Sequence, residues 1–308
     1  MKIAIVGAGA MGSLFGGRLA LLGHEVTMVD VVPAVIEAIN THGLIMEDES
    51  GRQAIALKAG RAEDFNEPRE LVILFTKTMY SRAALESGRG LIGPETYVLS
   101  LQNGLGNMEL ISEFVPVDRI LVGVTNMASD LIGPGHISSH GGGYTKIMSA
   151  DGQMNPMVET LGRELVKAGV GGVIVPEIFV AIWEKVAFNA AINSTTAVCR
   201  TACGAIGLTE EGRALAFNIA REAARVANAH GVKASAEAVI ASLENTFVAH
   251  SGHLTSMAQD IMHGRRTEVD FINGQICLKA REVGLTAPCT ETLYALIKTI
   301  EAAYPAKS

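Results

Sequence analysis

The chain has 308 residues, of which 48% are hydrophobic and 19% are charged, a composition typical of a globular protein and not of a disordered one. Lys and Arg number 25 against 32 Asp and Glu, and no basic run is present, so we expect neither nucleic acid nor an anionic membrane as partner. Mean hydropathy is +0.28 without an apolar run of about 18 residues, so no membrane span is expected. Four cysteines without a C-x-x-C pair, and no secretory signal, favour a reducing cytoplasm.

Short apolar runs alternate with helical patterns in the first half of the chain. The predicted strands are 3–6, 25–29, 71–75, 97–101, 120–124 and 172–175, and the predicted helices are 10–22, 33–42 and 154–168. Residues 133–143, followed by 144–148, predict an edge hairpin. Such alternation indicates a parallel sheet wrapped by helices.

The pattern changes near Pro176. Helical patterns dominate from 178 to 303, with breaks near 204–207, 231, 264 and 288. We therefore predict an α/β protein with two domains, an N-terminal Rossmann dinucleotide-binding domain at 1–175 and an all-α substrate and catalytic domain at 176–308.

A glycine motif, Gly7-Ala-Gly9-Ala-Met11-Gly12, lies between the first predicted strand and the first predicted helix. In this context Gly7 allows a tight turn, Gly9 lets the backbone approach a pyrophosphate, and Gly12 lets the helix pack on the strand. Asp30 ends the second strand, where an acid accepts hydrogen bonds from the ribose of NAD and repels a 2′-phosphate. We therefore predict a nicotinamide site that favours NADH. The alternative is an ordinary strand-to-helix turn.

The segment 178–193 is apolar nearly all round, which is typical of a buried helix. Lys185, Asn189 and Asn193 recur every four residues and therefore share one stripe of that helix. Asn is a poor helix former, and a buried Lys is costly unless it is paired. Two interpretations stay open: a polar stripe that faces solvent, or a Lys acting as general acid in a cleft where amides place a substrate.

Two further polar residues have ordinary structural explanations. Ser256 and Gln259 have the spacing of a capping box, which predicts Ser256 as the N-cap of a helix. Glu268 is predicted in the first turn of another helix, where a carboxylate interacts favourably with the helix dipole in any protein. Local chemistry alone assigns neither residue a catalytic role.

Several short motifs, in their order and spacing, together resemble the ketopantoate reductase family over almost the whole chain. These motifs are the glycine motif, Thr76-Lys77, Gln102-Asn103-Gly104, Trp183-Glu184-Lys185 followed by Asn189 and Asn193, Ser256-Met257-x-x-Asp260, and TEVDFING at 267–274.

The resemblance implies a Rossmann domain, an all-helical domain and an active site in the cleft between them. It implies reduction of 2-dehydropantoate to (R)-pantoate, a step of pantothenate synthesis, by hydride from a reduced nicotinamide. Lys185 matches the catalytic lysine that acts as general acid, and Glu268 matches the acidic partner near the substrate hydroxyls. The other matched positions are Asn189, Asn193 and Ser256 for the substrate, Met11 and Lys77 for the cofactor, and Asn103 for both.

Cofactor preference and substrate side chain stay open. Many members of the family use NADPH and carry a basic residue after the second strand, whereas this chain has Asp30-Val31-Val32. NADH-using relatives include D-2-hydroxyacid dehydrogenases of the D-mandelate type. The motif LFTK at 74–77 also resembles that NADH-using branch. The alternatives are such a dehydrogenase acting on another 2-keto acid, branched-chain or aromatic, and, in another class, a nicotinamide-sensing binding protein without catalysis. The 3-hydroxyacid dehydrogenases are disfavoured because their Asn precedes the Lys.

Two histidine pairs, His136 with His140 and His250 with His253, have ligand-like spacing. No cysteine or acidic residue completes either set, so no metal site is predicted. The expected partner is a small 2-keto acid, and a homodimer is compatible with the sequence.

Overall fold

The structure, a computed structural model, describes residues 1–139 and 141–305. The chain divides into two compact units. Unit 1 comprises Met1–Gln102 and Asn107–Ile178, and unit 2 comprises Asn103–Gly106 and Phe179–Ser308.

Unit 1 contains two sheets, and the described residues form twelve strands in all. These are β1 (Lys2–Val6), β2 (Glu25–Val29), β3 (Leu44–Asp48), β4 (Gly51–Ile55), β5 (Lys58–Gly60), β6 (Leu71–Leu74), β7 (Tyr97–Ser100), β8 (Ile120–Thr125), β9 (Asp130–Gly133), β10 (His136–Ser138), β11 (Thr145–Ser149) and β12 (Gly172–Ile174).

The larger sheet has the order β12-β11-β8-β7-β6-β1-β2-β5. Its strands run parallel except where β11 pairs antiparallel with β8. Val6 pairs with Val29 on one side and with Leu74 on the other, so these three strands end at the same edge. The residues that follow them therefore lie side by side at the point where the strand order reverses, which is where open α/β sheets bind ligands.

Helices and a smaller sheet accompany the larger sheet in unit 1. The helices of unit 1 are α1 (Ala10–Leu21), α2 (Pro33–His42), α3 (Ser81–Ser87), α4 (Asn107–Ile111) and α5 (Pro156–Lys167). The predicted edge hairpin of 133–143 with 144–148 is wrong, because β11 pairs with β8 in the larger sheet, whereas β10 pairs with β9 in the smaller one. The smaller sheet has the order β4-β3-β10-β9. It packs closely on α1, because a Cβ on Gly17 would lie 3.1 Å from side-chain atoms of both Leu44 and Ile55.

Unit 2 is helical. Its helices are α6 (Ile178–Cys199), α7 (Cys203–Ile206), α8 (Glu210–Ala229), α9 (Ala236–Ala249), α10 (Ser256–Met262), α11 (Asn273–Glu282) and α12 (Pro288–Ala302). They enclose one apolar core, which includes Trp183, Ile192 and Leu243. The predicted fold class, an α/β domain with a largely parallel sheet followed by an all-α domain, is thereby confirmed. Over residues 1–139 and 141–305, none of the helices combines the length and apolar character needed to cross a membrane.

Candidate functional site

The glycine motif forms the turn between β1 and α1. Gly7 has a φ of 102°, and a Cβ there would lie 2.7 Å from the Thr76 amide nitrogen, so only glycine fits. A Cβ on Gly12 would overlap the carbonyl oxygen of Gly7. In contrast, a Cβ on Gly9 would meet nothing within 4 Å. Backbone packing therefore explains Gly7 and Gly12, whereas Gly9 borders open space that an external group can approach.

The N-terminus of α1 has the features of an anion site. Its N-cap is Gly9, which offers no side-chain cap, and its first turn carries no acidic residue. Ser13, one turn further, donates its hydroxyl to the Ala8 carbonyl oxygen at 3.1 Å, away from the free amides. Uncapped N–H groups and the positive end of the helix dipole fit a pyrophosphate, so these residues are suited to a dinucleotide.

Asp30 follows β2 and is tied to the glycine turn. Its Oδ2 accepts a hydrogen bond from the Ala8 amide at 2.7 Å, while Oδ1 accepts from the amides of Val31 and Val32 at 2.8 and 2.9 Å. Sequence reasoning missed these contacts, which give Asp30 a structural role. A carboxylate oxygen has two lone pairs, so Oδ2 keeps the capacity to accept from a ribose hydroxyl.

Lys77 lies three residues after β6 and is partly buried. The backbone before it is held by Gln102, whose Nε2 donates to the Thr76 carbonyl oxygen and to Ser81 Oγ, both at 2.7 Å. This amide fixes the segment that follows β6 to the end of β7. No local pattern in the sequence assigns Gln102 that role.

In unit 2, the polar stripe of α6 is not solvent-facing. Asn189 and Asn193 are each 7% exposed, and Lys185 is partly buried. The solvent-face interpretation of the stripe is therefore wrong. Two amides and an amine at helical spacing are held in the interior, where each polar atom is costly unless it interacts.

Burial changes the acidity of Lys185. Loss of solvent lowers its pKa from the ordinary value of 10.5 to about 8, and the negative charge of Glu268 raises the pKa again in part. A lysine with this pKa is mostly protonated at neutral pH and can still release its proton. That is the property required of a general acid near pH 7.

Asn103 forms hydrogen bonds with two residues of the group around Lys185. Its Nδ2 donates to Glu268 Oε2 at 3.5 Å, and its Oδ1 accepts from Asn189 Nδ2 at 3.4 Å. These long hydrogen bonds are weak. The structure thus brings together Asn103, Lys185, Asn189 and Glu268, which lie far apart in the sequence.

Asn103 is held next to Glu268 by the backbone that follows it. The Leu105 amide donates to the Phe271 carbonyl oxygen at 2.9 Å. Gly104 has a φ of 96°, and a Cβ there would lie 2.5 Å from the same oxygen. Glycine is therefore required at 104 because the segment runs against the turn that carries Glu268.

The predicted capping role of Ser256 is wrong. Thr255 is the N-cap of α10, with its Oγ1 accepting from the Ala258 amide at 3.3 Å, and Ser256 is the first residue of the helix. Thr255 is buried and hydrogen-bonded to Thr196 at 2.8 Å, which fixes it in the cap position. Gln259 donates to the Leu254 carbonyl oxygen instead of closing a capping box. Ser256 is exposed, and the hydrogen bonds of the described residues do not join it to the group around Lys185.

Glu268 is likewise not in the first turn of a helix. Helix α11 begins only at Asn273, and the Glu268 carbonyl oxygen accepts from the amides of Phe271 and Ile272 at 3.0 and 3.1 Å in a preceding turn. The helix-dipole explanation therefore does not apply to Glu268.

The remaining candidates are the histidines. His140 lies outside the described residues, so its pairing with His136 is not described. His136 Nε2 lies 2.9 Å from Glu47 Oε1. Within 1–139 and 141–305, no group of three or more His, Cys, Asp or Glu side chains is arranged to hold a metal ion.

Comparison with known proteins identifies the family. The family model described as ketopantoate reductase PanE/ApbA matches residues 3–152, and its C-terminal counterpart matches residues 177–301. The 2-dehydropantoate 2-reductase of Pyrococcus horikoshii is 37% identical over 304 residues, covering 98% of both chains. The enzyme of the same name from Streptococcus pyogenes serotype M6 is 31% identical over 303 residues, again covering 98% of both.

A solved structure of D-mandelate dehydrogenase with NADH and anilino(oxo)acetate is also similar. It is 31% identical to this chain, covers 99% of both chains and superposes with a TM-score of 0.94. The resemblance inferred from the short motifs is thus confirmed over nearly the full length. This chain belongs to the ketopantoate reductase family of NAD(P)-dependent oxidoreductases.

Proposed function

We propose that the protein reduces a 2-keto acid, with 2-dehydropantoate as the first substrate to consider and (R)-pantoate as its product. The observation that carries this proposal is Lys185, a partly buried amine with a pKa of about 8 beside Glu268 and two amides. Relatives at 31% and 37% identity named 2-dehydropantoate 2-reductase support the choice of substrate.

The cofactor would be held by unit 1. The uncapped amides of α1 at Ala10, Met11 and Gly12 would bind the pyrophosphate, with Gly9 allowing its approach. Asp30 would accept from the ribose, and Lys77 would lie near the cofactor. When bound, the reduced nicotinamide supplies a hydride to the carbonyl carbon of the substrate.

The residues of unit 2 would handle the substrate and the proton. The Lys185 ammonium donates a hydrogen bond to the carbonyl oxygen, stabilises the negative charge that develops there and transfers its proton to form the hydroxyl. Glu268 favours the protonated form of Lys185 and accepts from a substrate hydroxyl. Asn103, Asn189 and Asn193 supply amides that orient the substrate, and Ser256 would donate to its carboxylate.

NADH is the proposed cofactor. Asp30 places a negative charge at the end of β2, where a 2′-phosphate of NADPH would be repelled. Its fixation by the Ala8, Val31 and Val32 amides keeps that charge in place. The D-mandelate dehydrogenase of similar fold was solved with NADH, which supports the same preference.

A second candidate is an NADH-dependent D-2-hydroxyacid dehydrogenase of the D-mandelate type acting on a branched-chain or aromatic 2-keto acid. It is favoured by Asp30 together with the TM-score of 0.94 to D-mandelate dehydrogenase. The proposed chemistry at Lys185 is identical in both candidates. They differ in the side chain of the keto acid.

The test is oxidation of NADH and NADPH in parallel, with 2-dehydropantoate, 2-ketoisovalerate or phenylglyoxylate as substrate. The proposal expects the highest kcat/KM with NADH and 2-dehydropantoate. Preference for either other acid would select the second candidate. Tight nucleotide binding without turnover of any of them would contradict both and favour the nicotinamide-sensing protein.

The cellular location and the oligomeric state are also proposed. A cytoplasmic location accords with the cysteines, all four of which are free thiols. A homodimer is proposed as the assembly, which the molar mass in solution tests.

A further inference from the structure

The turn that carries Glu268 is held by the C-terminal helix α12. We propose that one face of α12, with Glu301 as its main contact, positions Glu268 for the substrate. Glu301 is thus a positioning residue, distinct from the groups that touch the substrate. This inference rests on the proposed function of Glu268.

Glu301 binds the residue immediately before Glu268. Its Oε1 accepts from the Thr267 amide and from Thr267 Oγ1, both at 2.7 Å. Thr267 is fully buried, and its Oγ1 also accepts from the Val269 amide at 3.2 Å. Through Thr267, a single carboxylate oxygen therefore restrains the backbone on both sides of Glu268.

Asp270 gives the same turn a second attachment to α12. It accepts from the Tyr294 hydroxyl at 2.9 Å and from Lys298 Nζ at 2.9 Å. Burial raises the pKa of Asp270, and the hydrogen bonds from Lys298 and Tyr294 outweigh that effect and lower it. Lys298 Nζ also lies 3.5 Å from Glu301 Oε2, so it bridges the two carboxylates.

The contacts come from one face of the helix. Tyr294, Lys298 and Glu301 stand at positions i, i+4 and i+7, which share a face of an α-helix. The Glu301 side chain is 9% exposed, so its hydrogen bonds are shielded from water and resist exchange with it. The turn is thus fixed by partly buried, charge-assisted bonds and not by helical structure of its own.

The consequence concerns the Glu268 carboxylate. The long hydrogen bond from Asn103, at 3.5 Å, is weak, and the backbone attachment through Thr267 adds a further constraint on where the carboxylate lies. A shift of about 1 Å at a reacting group costs up to about 100-fold in rate. Loss of the Glu301 contact is therefore expected to reduce turnover without contact between Glu301 and the substrate.

The experiment compares Glu301→Ala, which removes the acceptor, with Glu301→Gln, which keeps an acceptor oxygen for Thr267. Glu244→Ala is the matched control, because it removes a carboxylate from an exposed ion pair with Arg213 on the same unit. We expect kcat/KM for the keto acid to fall roughly 10-fold to 100-fold in Glu301→Ala. Glu301→Gln and Glu244→Ala should stay near the wild-type value, and all three should bind NADH normally.

Combination with Glu268→Gln separates positioning from a general loss of structure. If Glu301 acts through Glu268, the change Glu301→Ala should add little in the Glu268→Gln background. If Glu301→Ala lowers kcat/KM by the same factor in the Glu268→Gln background as in the wild type, the inference is overturned. Wild-type activity of the Glu301→Ala single variant would also overturn it. Should Glu301→Ala fail to fold, Thr267→Val is subjected to the same comparison, because it removes one of the two hydrogen bonds to Glu301 together with the one from the Val269 amide.

Failure of the proposed function gives a different result. If Glu268→Gln alone retains full activity, the substrate role of Glu268 is wrong and the positioning role falls with it. If Glu268→Gln is impaired while Glu301→Ala is not, only the positioning role is wrong.

Discussion

The pH dependence of the reaction follows directly from Lys185. With a pKa of about 8, the amine is about 90% protonated at pH 7 and about 10% protonated at pH 9. Keto acid reduction requires the protonated form, so its kcat/KM should fall about tenfold between pH 7 and pH 9. Oxidation of the hydroxy acid requires the neutral amine as base, so its kcat/KM should rise about tenfold over the same range.

The charge of Glu268 supplies an internal control. It raises the pKa of Lys185, so Glu268→Gln should move the inflection of the reduction profile to a lower pH. The assay follows nicotinamide absorbance at subsaturating keto acid from pH 6 to pH 10, in both directions, for the wild type and for Glu268→Gln. A reduction rate that is flat across this range, or an inflection that Glu268→Gln leaves unchanged, would refute the assignment of Lys185 as the acid.

Two further predictions concern the cofactor and stability. Asp30→Ala should weaken NADH binding and relax discrimination against NADPH, as measured from the Kd of each; an unchanged ratio would mean that Asp30 does not contact the ribose. Because the folded pKa of Lys185 lies below its unfolded value, the unfolded chain binds more protons between about pH 8 and 10.5, and folding gains stability as pH rises through that window. The gain over the full window is about 3 kcal/mol, from 1.36 kcal/mol per pKa unit, and about 2 kcal/mol of it falls between pH 7.5 and pH 10. Urea unfolding at pH 7.5 and pH 10 should show it in the wild type relative to Lys185→Met, and equal pH dependence of the two would contradict it.

Much of unit 1 could be predicted because its signals are local. The strand at 25–29 and the helix at 33–42 have the predicted bounds, since apolar runs and helical periodicity are properties of neighbouring residues. The hairpin of β3 and β4 was missed. Its turn, Asp48-Glu49-Ser50-Gly51, lacks the Asn-Gly signal and is closed by the Asp48 side chain accepting from the Ser50 amide at 2.8 Å.

The candidate site was only partly predictable. The spacing of Lys185, Asn189 and Asn193 revealed the stripe, but whether it faced solvent depended on packing against distant segments. Asn103 and Glu268 meet across 165 residues of chain, and no local pattern encodes that contact. The resemblance to a family supplied these residues, whereas physical reasoning from neighbours gave Glu268 and Ser256 structural roles that proved wrong.

The central claim is that Lys185 protonates the carbonyl oxygen of a 2-keto acid. The most direct measurement is turnover of Lys185→Ala with NADH and the preferred keto acid, alongside its affinity for NADH. The account predicts that kcat falls by about 100-fold or more while the Kd for NADH stays unchanged. Wild-type turnover in Lys185→Ala would contradict the account.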